Sequence, residues 1–254
     1  MKNSFRYKLI MILMIILIGV NGCSMKNDVQ SNRNKVELNA RQKAILETEG
    51  LATDYEKLSS SQQKSIIAIE ELLNLVEKKY NKKFCYAGYI SGGDMECETL
   101  IAYPEGGDKE LDQFKVERNE DGTFKDTYMN MYLRESYEEI LKSFTKSVFS
   151  VNEIKIYSEV INTSLMKMPE EKDEYRGNIE GTSLIFLSDS EITDTDYVQG
   201  VQELEAVIKE EKLFGSYQII LIKSEFMQEL TEFNYSDYLE PDDYKERRTF
   251  YVNK

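Results

Sequence analysis

Apolar side chains recur every three or four residues in three stretches, the spacing that places them on one face of an α-helix. Ser60 and Gln63 have capping-box spacing ahead of the first stretch, Ser136 begins the second, and Thr193 begins the third. Gly215 follows the third and is available for a left-handed termination. A shorter helix is predicted over 41–48. The core-facing positions are Ile66, Ile69, Leu73, Val76, Tyr80, Tyr137, Ile140, Leu141, Phe144, Val148, Tyr197, Val201, Leu204 and Ile208.

Several segments between these helices have the composition of β-strands. Residues 184–187 (LIFL) and 219–222 (IILI) are continuously apolar, which is typical of strands covered on both faces. Gly92-Gly93-Asp94 and Asp121-Gly122 predict hairpin turns. The order of elements predicts an α+β fold, a mainly antiparallel sheet packed by three principal helices. The predicted strands are 84–90, 97–103, 113–118, 128–133, 153–161, 183–187, 217–222 and 249–252.

The start of the chain has the pattern of an export signal. Lys2, Arg6 and Lys8 form a basic beginning, and residues 9–20 form an apolar run. This run is shorter than the roughly 20 residues that a helix needs to cross a bilayer, and it matches the hydrophobic part of a signal peptide. We therefore expect residues 1–22 to be a signal peptide that is removed.

Val20-Asn21-Gly22-Cys23 resembles the bacterial lipobox, with an aliphatic residue three positions before the cysteine and a small residue just before it. Asn21 departs from the usual small or apolar residue. The resemblance implies a diacylglyceryl group on Cys23, and two acyl chains anchor a protein stably where one does not. It therefore implies a lipoprotein on the extracytoplasmic face of the cell membrane. The alternative is that Cys23 is an ordinary cysteine after a short hydrophobic segment.

Residues 24–37 are polar and lack periodicity, so with Cys23 they form a predicted lipidated tether over 23–37. Residues 38–254 are then a single α+β domain, and a seam between two halves within 162–181 stays open as an alternative. The stretch from Ile45 to Tyr80 loosely resembles uncharacterised lipoproteins of low-GC Gram-positive bacteria, some of them carried on mobile elements. This resemblance implies residence outside a single cytoplasmic membrane and gives no site residues.

The chain is acidic and contains no histidine. It has 32 basic and 46 acidic side chains, a net charge of -14, and removal of Lys2, Arg6 and Lys8 with the signal leaves 29 against 46, or -17. Such a charge disfavours nucleic acid and favours basic partners or cations. The absence of histidine excludes Ser-His-Asp and Cys-His catalysis and imidazole metal sites. No cofactor is predicted.

Cys85 and Cys97 lie on adjacent predicted strands, on either side of the Gly92-Gly93 turn. Because disulfides persist outside the cytosol, this placement predicts a cross-strand disulfide. The alternative is two buried free thiols that pack as small hydrophobic side chains. No histidine or C-x-x-C spacing is present to activate either thiol.

Asp189, Glu191, Asp194 and Asp196 lie between a predicted buried strand and the third helix. Carboxylates in such a loop are possible ligands for Ca²⁺. The favoured interpretation is that they cap the helix and complement the positive end of its dipole.

No motif in the sequence places a catalytic nucleophile or a phosphate-binding loop, and no catalytic residue is assigned. The prediction is a non-enzymatic binding or interaction module at the cell envelope, with an envelope protein as partner. One alternative is a histidine-free, carboxylate-dependent hydrolase of envelope glycans, and another is a small-ligand carrier. Tyrosine-rich surfaces suit binding, and the candidates are Tyr80, Tyr86, Tyr89, Tyr103, Tyr128, Tyr132, Tyr235, Tyr238, Tyr244 and Tyr251.

Overall fold

A computed structural model describes residues 36–254 except 94–96, 120 and 168. The contacts between Cα atoms divide the chain into Met1–Glu37 and Leu38–Lys254. The predicted signal peptide, Cys23 with its predicted lipid, and the predicted tether up to residue 35 lie outside the described residues. Within the described ranges, no helix is both long enough and apolar enough to cross a bilayer.

The fold is α+β, as predicted. The helices are α1 (Ala40–Thr48), α2 (Ser60–Tyr80), α3 (Tyr128–Phe149), α4 (Asp194–Glu210) and α5 (Ser224–Met227). The strands are β1 (Phe84–Ile90), β2 (Thr99–Pro104), β3 (Phe114–Arg118), β4 (Phe124–Asp126), β5 (Ile154–Thr163), β6 (Ile179–Ser188), β7 (Phe214–Ile222) and β8 (Tyr244–Val252).

The described strands form two four-stranded sheets, in the orders β1-β2-β3-β4 and β5-β6-β7-β8. Every neighbouring pair is antiparallel except β6 and β7, which are parallel. The parallel pair is connected through α4, because two parallel neighbours need a crossover between them. The alternative seam within 162–181 falls in the connection between β5 and β6, which pair with each other along their length.

The core contains residues from both sheets. One buried cluster joins the inner face of the first sheet, α2 and α3 to the face of the second sheet that packs on α3 and α4. A smaller cluster, formed by Phe186 and Ile220 with Met227 and Leu230, covers the opposite face of β6 and β7. The two central strands are therefore buried on both faces, which confirms the prediction made from their continuous apolar runs.

The prediction of a strand over 128–133 is wrong, because these residues form the first turns of α3. Tyr128, Met129 and Leu133 are buried on the same helix face as Tyr137. Their spacing continues the helical pattern toward the N-terminus, but the aromatic composition resembles that of a strand. The helix therefore begins at Tyr128 instead of Ser136, and the carboxylate of Asp126 accepts a hydrogen bond from its first backbone N–H at 3.1 Å.

The helix caps agree with the sequence in part. Thr193 caps α4 and accepts from the N–H of Asp196 at 3.2 Å, as predicted. The capping box of α2 is formed by Ser59 and Gln62, one residue earlier than predicted. The left-handed residue after α4 is Lys212, with φ 51°, and Gly215 lies in β7 with φ 135°.

Candidate functional site

The predicted disulfide between Cys85 and Cys97 is not formed, and both cysteines are free. The register of β1 and β2 places Cys85 opposite Tyr103. Cys97 precedes Tyr103 by six residues, or about 20 Å at roughly 3.3 Å per strand residue. A disulfide needs Cα atoms within about 7 Å of each other, so the two cysteines are too far apart to bond.

The four carboxylates predicted as weak calcium ligands do not converge. Asp189 accepts from the backbone N–H of Ser224 at 2.8 Å, and Asp194 pairs with Lys245 at 2.6 Å. Glu191 and Asp196 are likewise engaged, with Asn152 and with the hydroxyl of Thr193. Among the described residues, no three acidic or cysteine side chains are grouped so that they could hold a metal ion.

Most of the candidate tyrosines do not form a common surface. Tyr128 and Tyr89 are buried, whereas Tyr251 on β8 in the second sheet is 63% exposed. Tyr157, which the sequence did not single out, stacks on Tyr235 with ring centroids 4.6 Å apart. Tyrosines therefore serve mainly in the core and around its rim.

A cleft of about 780 Å³ lies between α1 and β1. One face of α1 lines it with Arg41, Ala44 and Thr48, and α2 contributes a polar stripe over 70–77. The other side is formed by the beginning of β1 and the end of β2. The lining residues from these parts are Glu70, Asn74, Glu77, Lys83, Phe84, Cys85, Tyr86, Tyr103, Glu105 and Lys109. The volume falls within the range of about 300 to 1,000 Å³ that is usual for ligand sites.

Arg41 organises one wall of this cleft. Its guanidinium makes a two-point ion pair with Glu70 at 2.8 and 2.9 Å and a further bond with Glu77 at 2.9 Å. The same group donates to Asn74 at 2.7 Å. Because a planar guanidinium fixes several acceptors at once, this wall is held in place before any ligand binds.

Glu77 connects the wall to β1. Its carboxylate accepts from the backbone N–H of Phe84 at 3.2 Å and pairs with Lys83 at 3.0 Å as well as with Arg41. Burial acts to raise the pKa of Glu77, but Lys83, the Phe84 N–H and Arg41 outweigh it, and the pKa lies below its ordinary value. Glu77 therefore stays ionised near neutral pH.

A second, smaller cavity of about 200 Å³ lies between α3 and β5 and contains Glu138. The Glu138 carboxylate accepts from the backbone N–H of Ser158 at 2.6 Å. Burial raises the pKa of Glu138 to about 7, and it outweighs the hydrogen bond from the Ser158 N–H and the positive charge of Arg134, which act to lower the pKa. Tyr157 lines the same cavity, and burial raises its pKa to about 12.

Arg41, Glu77 and Glu138 were not predicted as site residues from the sequence. The one local signal is that Glu70, Asn74 and Glu77 are spaced by four and three residues, which places them on one face of α2. Their partner Arg41 is 29 to 36 residues away in sequence, so the pairing could not be read from a local pattern.

No protein-family model matches the chain, and no curated protein matches it. Among solved structures it shows a weak similarity to a DUF5037 family protein from Ruminococcus gnavus ATCC 29149, with a TM-score of 0.32 and 10% sequence identity. The alignment covers 64% of this chain and 78% of that chain.

Proposed function

We propose that the chain is a lipid-anchored extracytoplasmic protein whose folded part is a binding module for a protein of the cell envelope. The observation that carries this proposal is the cleft between α1 and β1, with one wall fixed by the Arg41 ion pairs. A wall that is already ordered loses little side-chain entropy when a partner binds. The lipobox-like segment ending at Cys23 supports the anchored location.

The chemistry of the cleft favours binding over catalysis. Glu70 and Glu77 are paired with Arg41, and the pKa of each lies below its ordinary value because these partners outweigh the effect of burial. A carboxylate that stays ionised is a poor proton donor near neutral pH. The cleft also carries Lys83, Lys109 and Glu105 at its rim, which suit polar contacts with a protein surface.

The anchor is tested with Cys23→Ser in the full chain. We expect the wild-type protein to incorporate a fatty-acid label and to sediment with membranes after high-salt washing. The Cys23→Ser variant should incorporate no label and should not resist the wash. A variant that stays labelled and membrane-bound would contradict lipidation at Cys23.

The binding site is tested by affinity capture from native membranes after crosslinking in cells. Ala44→Phe places a ring on the cleft wall, whereas Lys43→Phe adds the same ring to the neighbouring exposed position, which does not line the cleft. We expect a partner captured with the wild type and with Lys43→Phe to be lost with Ala44→Phe. Equal recovery with all three proteins would place the partner elsewhere.

A second candidate is the histidine-free hydrolase of envelope glycans, and Glu138 is the observation that favours it. A carboxyl whose pKa is raised to about 7 can serve as a general acid near neutral pH. The test is turnover of purified envelope glycans by the full chain and by Glu138→Gln. Turnover by the wild type that is lost in Glu138→Gln supports this candidate, and no turnover by either protein rejects it. The carrier alternative has no comparable support, because the larger cleft is open and lined by charged side chains.

A further inference from the structure

The two sheets have four outer edges, and three of them are protected against pairing with another strand. β4 contains three residues. β8 carries consecutive charged residues over 245–248. β5 is flanked directly by α3, whose Glu138 accepts from the N–H of Ser158 and whose Asn130 donates to the carbonyl of Ile161. Short length, charge and covering helices are the usual means by which proteins block edge strands.

β1 differs from the other edges. Its sequence, FCYAGYI, contains no charged residue and no proline. It is the terminal strand of its sheet, and its first three residues line the cleft beside α1. The hydroxyl of Tyr86 donates to Glu49, the residue that follows α1, at 3.0 Å. Of the described edge strands, β1 is therefore the one that combines regular length, uncharged side chains and an adjoining cleft.

The register shows which backbone groups face this space. Lys83 accepts a hydrogen bond from the N–H of Glu105, so the alternation of an antiparallel pair turns the N–H and C=O of Phe84 and Tyr86 away from β2. Glu77 already occupies the Phe84 N–H. The Phe84 carbonyl and both groups of Tyr86 are left for a partner. A bulge between Tyr86 and Gly88 ends the regular edge, so the added segment is short.

We infer that the cleft binds an extended peptide segment of the partner protein, which pairs with β1 as an additional strand. This inference rests on the proposed function of the cleft. Outward N–H and C=O groups at strand spacing are complementary to another extended backbone. The cleft has balanced charges, because Arg41, Lys83 and Lys109 oppose Glu70, Glu77 and Glu105, so the segment need not be charged.

The position of α1 sets a preference for side chains. Alternate side chains of an added strand point to opposite faces of the sheet. One set would face Ala44 and Thr48 on α1, and the other would lie beside Cys85 and Tyr103 on the outer face. We expect small or apolar residues at the positions that face α1.

The test uses random twelve-residue peptides displayed on phage, selected against the full-length chain in detergent and counter-selected against Ala44→Phe. Synthetic copies of the enriched peptides are then measured with two readouts. Amide hydrogen exchange reports whether the Tyr86 N–H becomes protected. A scan of single backbone N-methylations reports which amides of the peptide donate hydrogen bonds.

If the peptide adds to β1 as a strand, we expect hydrogen exchange at the Tyr86 N–H to slow. The affinity of the peptide should fall by about tenfold when every second residue is N-methylated in turn, with little change for the residues between. Ala44→Phe should weaken the same peptides, and Lys43→Phe should not. Binding that depends on Ala44 but shows neither Tyr86 protection nor a period of two would overturn strand addition and leave the cleft as the binding site. Enrichment of no peptide at the cleft would overturn the peptide inference, whereas membrane capture of a partner sensitive to Ala44→Phe would still support the proposed function.

Discussion

The carboxylate of Glu138 accepts a hydrogen bond from the backbone N–H of Ser158 at 2.6 Å, and Glu77 does the same for Phe84 at 3.2 Å. In both cases a helix carboxylate caps an outward N–H of an edge strand. The two carboxyls differ in their surroundings. Arg41 and Lys83 outweigh the effect of burial at Glu77, whereas burial outweighs the Ser158 hydrogen bond and the charge of Arg134 at Glu138. Their pKa values therefore move in opposite directions. The hydrogen bond between Glu138 and the Ser158 N–H on β5 is the one expected to respond to pH near neutrality.

Glu138 makes the folded protein less stable as the pH rises. The pKa of Glu138 is raised from its ordinary value of 4.5 to about 7. Between pH 4.5 and pH 7 the folded state therefore binds more protons than the unfolded state. Stability from this group is therefore present below pH 4.5 and is lost as the pH rises through 7. We expect Glu138→Gln to be more stable than the wild type by about 2 kcal/mol at pH 8, a figure reduced for the partial solvent exposure of the carboxyl. At pH 5 the two proteins should have similar stability.

The measurement is urea denaturation of both proteins across this pH range, with Glu139→Gln at the neighbouring exposed position as the control. The control should follow the wild type. A constant difference between Glu138→Gln and the wild type at all pH values would show that Glu138 does not titrate in this range.

Arg41 should contribute more to stability than Lys83, although both pair with Glu77. The side chain of Arg41 is 28% exposed and also holds Glu70, whereas that of Lys83 is 71% exposed. Removing Arg41 leaves Glu70 without its main partner and takes one of two cations from Glu77. We therefore expect Arg41→Ala to cost about 2 to 3 kcal/mol and Lys83→Ala less than about 1 kcal/mol. Arg41→Lys should recover little, because an ammonium cannot make the two-point contact with Glu70. Chemical denaturation of the three variants checks this order, and equal losses would contradict it.

Tyr137 and Tyr217 form a buried hydroxyl pair at 2.7 Å that joins α3 to the second sheet. The Tyr217 hydroxyl donates to the carbonyl of Leu213 at 3.1 Å, so it accepts from Tyr137. We expect Tyr217→Phe to cost about 2 kcal/mol and Tyr137→Phe about 1 kcal/mol, because the first also removes the donor to a buried carbonyl. The double variant should lose less than the sum, since the shared bond is removed only once. Additive losses in the denaturation free energy would exclude the pair.

Gly200 on α4 packs against Phe149, the last residue of α3. A Cβ at this position would overlap the ring of Phe149, so we expect Gly200→Ala to destabilise the protein by about 2 kcal/mol, although alanine favours an isolated helix by about 1 kcal/mol. Phe149→Leu in the same chain should recover part of this loss. Thermal unfolding measures both, with Gln199→Ala as an exposed helical control. A more stable Gly200→Ala would mean that the helices are farther apart than described.

The local pattern of apolar residues in the sequence predicted the two central strands of the second sheet. The runs at 184–187 and 219–222 lie in the central strands, and Thr193 caps α4. The beginning of α3 was mistaken for a strand, because tyrosines over 128–132 have strand composition while their helical spacing depends on Tyr137 and residues beyond it.

Relations between distant segments could not be predicted from the sequence. The alternation of side chains placed Cys85 on a sheet face but did not give its position along β2, which the register sets opposite Tyr103. Gly215 was expected to end α4, but its φ of 135° serves a close approach to the backbone of Gly181, where a Cβ would overlap the carbonyl. The cleft likewise depends on Arg41 reaching α2 from a different helix.

The most direct test of the account is a photo-crosslinking amino acid placed at Ala44 of the full chain in living cells, with Lys43 as the neighbouring control position. Both side chains are exposed on α1, but Ala44 alone of the two lines the cleft. We expect one reproducible envelope protein to be crosslinked from Ala44, to be absent from Lys43, and to be lost when Cys23→Ser prevents anchoring. Identical crosslinks from both positions, or none from Ala44, would contradict a binding site in the cleft.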